Sequence, residues 1–224
     1  MSGARRLVIF DVDGTLVDSQ DHIVAAMAEA FAAAGLPAPP RRDVLAIVGL
    51  SLAEAMTELM PGAPPAVRGA AVEAYKFAFG RLRSATRSPL FPGARAALDA
   101  LGARNDILLG IATGKSRRGL AHVLFSHDLE GRFATCQVAD DHPSKPHPSM
   151  IAAALAATGV AARDAVMLGD TTYDVAMARA AGVAAIGVSW GYHPAAALHE
   201  AGAMRILSHF AELPDAIDQI RVPA

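Results

Sequence analysis

The chain has a single cysteine, Cys136, so no disulfide can form within it, and such sparing use of cysteine suits a reducing compartment. Long apolar runs are missing as well. None approaches the roughly 18 residues that a membrane-spanning helix needs. The first ten residues lack the length of a secretory signal, so a cytoplasmic location is expected. Net charge is only −2. That balance argues against nucleic acid or an anionic membrane surface as a partner. The histidines are scattered with no H-x-x-x-H pair, so no zinc site is expected. No G-x-G-x-x-G follows the first apolar run, which speaks against a dinucleotide-binding module. Lysine is scarce too: Lys76, Lys115 and Lys145 are the only three, and the other basic residues are arginine. A chain that replaces surface lysine so freely keeps it preferentially where a flexible ammonium matters and a guanidinium does not serve.

What is present is a strand–helix rhythm. Continuous apolar runs occur at 7–10, 107–112, 134–138, 165–169, 184–188 and 204–207. Their continuity suits strands buried on both faces. Helical spacing fills the intervals at 93–104, 116–127, 148–158, 172–181, 194–201 and 210–220. Pro148 and Pro194 suit first-turn positions, and Gly159, Gly182 and Gly202 suit helix ends. This alternation predicts an α/β fold: a doubly wound, Rossmann-like parallel sheet with helices on both faces. One region breaks the rhythm. Residues 18–84 read as helix throughout, with Ile23, Met27, Ala30 and Phe31, and later Val72, Tyr75, Phe79 and Leu82, at helical spacing. That stretch is too long for a crossover. It predicts an inserted helical domain over 18–88 and a core built from 1–17 and 89–224, joined near Leu16–Ser19 and Ser88–Gly93.

In an open α/β sheet, functional groups gather at the carboxyl ends of the strands. The first run ends in Asp11-Val-Asp13-Gly-Thr15, the second in Thr113-Gly114-Lys115, and the fourth in Gly169-Asp170-Thr-Thr-Tyr-Asp174. The third ends near Asp140-Asp141, and Ser144-Lys145-Pro146 precedes the next helix. Carboxylate oxygens suit a hard cation such as Mg2+. Thr113, the Gly114 N–H and Lys145 are donors suited to phosphate oxygens. Taken singly, each piece has an ordinary reading. Asp-Gly is a turn, Asp170 and Asp174 cap a helix, and Lys115 is a solvated lysine. Their ordered recurrence at strand ends points to a site.

With these pieces in order, "DVDGTLVDS", "IATGK", "SKPHP" and "GDTTYD" resemble the four motifs of the haloacid dehalogenase-like hydrolase superfamily, and the helical insert resembles its small α-helical cap. The chain resembles the phosphoglycolate phosphatase-like subfamily most closely. The resemblance implies a Mg2+-dependent phosphatase of small phosphomonoesters, with 2-phosphoglycolate the first candidate. Asp11 resembles the nucleophile that takes the phosphoryl group. Asp13 resembles the general acid and base, needing a raised pKa to hold its proton, and offers its backbone carbonyl to the metal. Thr113 would hydrogen-bond the transferring group, and Lys145 would offset its charge. Asp170 would bind Mg2+ with Asp11, and Asp174 would complete the metal site as a further acidic group that orients Lys145 or metal-bound water. A second aspartate of the Asp13 kind implies phosphate-ester chemistry and counts against dehalogenation.

Thr15, Gly114 and Lys115 are expected near the phosphate. From the insert, Ser51 and Lys76 are the leading substrate contacts, with His22, Arg41, Arg42, Gly49, Glu54 and Tyr75 as further candidates. Lys76 is placed to meet a substrate carboxylate or second phosphate. The expected partner is a small-molecule phosphate ester, with the chain a monomer or homodimer. Three alternatives remain: a phosphotransferase of the β-phosphoglucomutase kind, a pyrophosphatase, and a receiver-like phospho-aspartate switch. Receivers are about half this length and carry no helical insert.

Overall fold

The computed structural model describes residues 5–220. Strand β1 is Arg6–Phe10. Four helices follow before the next strand: α1 Gln20–Ala33, α2 Arg41–Ala46, α3 Leu52–Leu59 and α4 Pro65–Ala85. Strand–helix alternation then begins with α5 Ala94–Gly102, β2 Ile107–Thr113, α6 Arg117–Ser126, β3 Thr135–Val138 and α7 Ser149–Thr158. It continues through β4 Ala165–Gly169, α8 Thr172–Ala180, β5 Ala184–Val188, α9 Ala195–Ala201, β6 Arg205–Leu207 and α10 Leu213–Gln219.

The strands form one sheet in the order β3-β2-β1-β4-β5-β6, and every pairing is parallel. β1 lies at its centre with all five residues buried. Its side chains alternate between two cores. Val8 and Phe10 pack with Leu98, Leu120 and Ile217 on one face. Leu7 and Ile9 pack with Met150, Ile151 and Met177 on the other. Burial on both faces explains why the run is continuously apolar. The chain leaves β1 toward β2 on one side and later returns to β4 on the other. The crevice beyond β1 and β4 is therefore the point where ligands bind in sheets of this kind.

Helices α1–α4 surround a third core, containing Met27, Phe31, Val44, Met56 and Ala71. Their two connections to the sheet are hydrogen-bonded to each other. Asp18 N–H donates to the Pro89 carbonyl and Phe91 N–H to the Leu16 carbonyl, both at 2.9 Å. Two details differ from the sequence reading. Pro148 and Pro194 precede their helices as N-caps rather than standing in the first turn. The last helical stretch divides into a 3₁₀ turn, Phe210–Glu212, and α10, which has a proline near its start. Proline lacks an N–H to donate and so suits the start of a new helix.

Candidate active site

β1 continues its ladder one residue past its end, where Asp11 N–H donates to the Leu168 carbonyl at 3.0 Å. The chain then turns tightly. Gly14 has φ +84°, and a Cβ there would lie 2.2 Å from Asp170 Oδ2. Only glycine fits both the backbone conformation and the approach of Asp170. The turn carries the Asp11 side chain into the sheet crevice and directs Asp13 elsewhere, so the two carboxylates acquire different partners.

Asp11 is buried, and Lys145 Nζ lies 2.9 Å from its Oδ1. Neither Asp11 oxygen accepts a hydrogen bond of good geometry among the described residues. Burial pushes its pKa up to about 7, with Lys145 opposing the shift and Asp174 adding to it. Lys145 also donates to Asp174 Oδ1 at 2.6 Å. Burial works against the Lys145 ammonium, but Asp11 and Asp174 outweigh it, and its pKa stands above that of an ordinary lysine. Asp170 accepts from Thr15 Oγ1 and from Tyr192 N–H, both at 2.9 Å. Its pKa is raised as well, first by burial and then by Asp11 and Asp174.

Asp174 has two tasks. Its Oδ2 accepts from Thr171 N–H and Thr171 Oγ1, closing a capping box at the start of α8. Its Oδ1 fixes Lys145. Asp174 thus caps α8 and holds Lys145 at once. Asp11, Asp170 and Asp174 each bring a carboxylate oxygen within 4.8 Å of the others. Three buried carboxylates facing one buried lysine leave excess negative charge, and among the described residues neither Asp11 oxygen accepts a hydrogen bond of good geometry. Such a donor set fits a hard divalent cation.

Asp13 stands apart from that cluster. Both of its oxygens lie 2.7 Å from Lys115 Nζ, and Ser19 Oγ donates to Oδ1. Ser19 occupies the N-cap position of α1 yet makes no capping bond there. Lys115 Nζ also lies 5.0 Å from the centroid of the Phe79 ring. Phe79 stacks on Tyr75 at 5.6 Å, so α4 of the insert frames the Asp13 ion pair. Thr113 is buried, and its Oγ1 accepts from Lys115 N–H.

A cleft of about 1020 Å³ runs between sheet and insert. Asp11, Asp13, Thr113, Gly114 and Lys115 line it from the core; Ser51, Tyr75, Lys76 and Phe79 line it from the insert. At its edge, Ser51 N–H donates to Ser144 Oγ at 2.8 Å. A Cβ on Gly114 would lie 2.7 Å from the carbonyl oxygens of Gly49 and Leu50, so the two backbones touch only because Gly114 has no side chain.

Several expected contacts differ from the sequence reading. The Thr15 hydroxyl is committed to Asp170 rather than turned toward a phosphate. Lys76 is exposed and paired with Glu73 at 2.7 Å on the cleft wall. Arg41 and Arg42 pair with Asp21 and Asp43 and do not line the cleft. His22 Nδ1 meets Ser88 Oγ at 2.8 Å, joining α1 to a linker. The sequence reading assigned no role to Ser19, Phe79 or Tyr192. Ser19 was within reach, as the last residue of the first motif.

These features define a class. Residues 8–188 match the family model described as haloacid dehalogenase-like hydrolase, and the chain belongs to that family. Among individual proteins, it is 37% identical over 213 residues to a probable phosphatase, IndB, of Dickeya dadantii (strain 3937), covering 92% of this chain and 91% of that one. It is 35% identical over 227 residues to a phosphoglycolate phosphatase of Rhodospirillum rubrum, covering 94% and 90%. A solved structure of a putative phosphoglycolate phosphatase from Lactobacillus plantarum superposes with a TM-score of 0.83 at 27% identity, covering 95% of this chain and 99% of that one.

Proposed function

We propose that the chain is a Mg2+-dependent phosphatase of small phosphomonoesters, working through an aspartyl-phosphate on Asp11. One observation carries this reading. The two aspartates at the end of β1 are held by different lysines, Asp11 by Lys145 and Asp13 by Lys115. A nucleophile and a proton carrier need such separate environments. The names of the relatives support the same class, and make 2-phosphoglycolate the first substrate to test.

Asp11, Asp170 and the Asp13 carbonyl would hold Mg2+, which supplies charge neutralisation between the attacking carboxylate and the phosphoryl oxygens. Asp11 attacks phosphorus as the ester P–O bond breaks, and the leaving oxygen takes a proton from Asp13. Water then attacks the aspartyl-phosphate, the bond to Asp11 breaks, and Asp13 receives the water's proton. Lys145, held by Asp174, offsets the charge of two anions brought together. The Thr113 hydroxyl and Gly114 N–H are donors for the phosphoryl oxygens. Asp13 gives up its ion pair before it carries a proton, and Lys115 swings from it onto substrate oxygen. The insert acts as a cap that closes over the site and excludes water.

The test is turnover of p-nitrophenyl phosphate and 2-phosphoglycolate by the purified chain. Catalytic phosphate release with Mg2+, lost in Asp11→Asn, is expected. A single stoichiometric phosphorylation without turnover would instead mark a switch. Transfer of the phosphoryl group to a sugar hydroxyl would mark a phosphotransferase.

A further inference from the structure

Resting on the phosphatase reading, we infer that Arg83 and Arg118 form a binding site for a second anionic group on the substrate. Arg83 comes from α4 of the insert and Arg118 from the first turn of α6. Both line the cleft. Neither guanidinium makes a hydrogen bond or ion pair among the described residues. The carboxylates that share the cleft wall are engaged elsewhere. Asp11 faces Lys145, Glu73 pairs with Lys76, Asp140 accepts from Arg117 N–H, and Asp13 is held by Lys115.

The two arginines also press on each other. Arg83 is half-buried, and its pKa is lowered first by that burial and then by the charge of Arg118. His122 is lowered by burial and then by Arg83 and Lys115. Cations gathered in a concave, partly desolvated wall without counter-ions attract an anion from solution. Arginine further offers a planar fork that matches carboxylate or phosphate.

Position sets the class of substrate. Arg83 follows Phe79 by four residues on α4, so it lies one turn along the same face, about 6 Å on. Phe79 is the ring beneath Lys115 Nζ, and Lys115 is on Asp13. Arg118 follows Lys115 by three residues. The pair therefore borders the Asp13 side of the site, where the leaving group sits, rather than the buried Asp11–Asp170 side. The second anion belongs to the leaving group: a carboxylate or second phosphate on a short alcohol. This is the recognition that the sequence reading assigned to Lys76.

The experiment compares matched substrates. 2-Phosphoglycolate is set against 2-hydroxyethyl phosphate for a carboxylate, and fructose 1,6-bisphosphate against fructose 6-phosphate for a second phosphate. The wild-type chain is expected to favour the doubly anionic member of at least one pair. In Arg83→Gln/Arg118→Gln that kcat/KM ratio falls about tenfold or more, through KM, as expected for lost charge-assisted hydrogen bonds. Arg83→Lys/Arg118→Lys, which keeps the charge but not the fork, recovers only part of it. Reading a ratio cancels any general loss of activity. A wild-type chain that turns over both members of each pair equally overturns the inference, as does a ratio unchanged by the glutamine pair. Should no phosphoester be turned over, the phosphatase reading fails on its own. Calorimetric binding of 2-phosphoglycolate to Asp11→Asn with Mg2+ then decides the site. About tenfold weaker binding with both glutamines supports it, and equal binding overturns it.

Discussion

The residues that matter most are two aspartates separated by one valine. A strand end followed by a tight glycine turn gives them different surroundings. Asp11 goes into a buried cluster, whereas Asp13 goes to a lysine beneath an aromatic ring. The first environment disfavours the ionised carboxylate. A carboxylate whose folded pKa is raised, from 3.8 to about 7 for Asp11, means that the folded state binds the proton more tightly than the unfolded chain. Its ionisation then costs stability. The cost is absent below pH 3.8, grows as pH rises, and is complete above about pH 7. In metal-free buffer at pH 8, Asp11→Asn is therefore expected to melt about 2–6 °C above wild type while losing activity. The gain should shrink toward pH 5, and thermal denaturation with chelator present checks it. Gly14→Ala acts in the other direction. Its Cβ would enter Asp170 at a positive φ, so the chain is expected to lose about 2–4 kcal/mol in urea unfolding, along with most activity.

At the scale of elements, the insert is held down by one short segment. The Ala46 carbonyl accepts from Tyr173 Oη at 3.2 Å and from His193 Nε2 at 3.1 Å. Ser51 N–H adds the bond to Ser144. His193 Nδ1 accepts from Thr172 N–H at 3.1 Å, which requires a neutral ring. Burial lowers the His193 pKa, with the Ala46 bond and Asp174 opposing. A depressed folded pKa gives stability that is full above the ordinary histidine range and is lost as pH falls through the folded value. Tyr173→Phe is expected to speed amide exchange of residues 47–51 by about 5–10-fold at pH 7.5. Wild-type exchange there, corrected for intrinsic rate, should rise as pH falls below the ordinary histidine range. Exchange unchanged in both comparisons would remove these bonds as the latch. The elements themselves were largely legible from sequence, because buried strands read as apolar runs and helices keep their period. The strand-end carboxylates were legible for the same reason. Lys115 on Asp13, Thr15 on Asp170 and the facing of Arg83 toward Arg118 were not. Each joins distant parts of the chain, and the last depends on how α4 lies across the cleft, which no local pattern encodes.

The whole molecule is a sheet whose centre carries the candidate site and an insert that supplies the other wall of the cleft. The two linkers that pair beside Leu16 and Phe91 let those tasks be separate. In the proposed account charge ties them together, with a cation held by the buried carboxylates and an anion by the cleft arginines. In the proposed site, Mg2+ and protons would compete for Asp11 and Asp170, whose pKa values are both raised. Added Mg2+ is thus expected to raise the melting temperature more at pH 8 than at pH 5.5, by the mass action of a ligand that binds the folded state. Equal shifts at both pH values would place the metal elsewhere. The central claim is the division of labour between Asp11 and Asp13. Its most direct test is mass spectrometry of Asp13→Asn, acid-quenched during reaction with p-nitrophenyl phosphate and Mg2+. The account predicts one phosphoryl group on the peptide containing Asp11, accumulating because the group that activates water is gone. No adduct under those conditions, or an adduct on another residue, would contradict it.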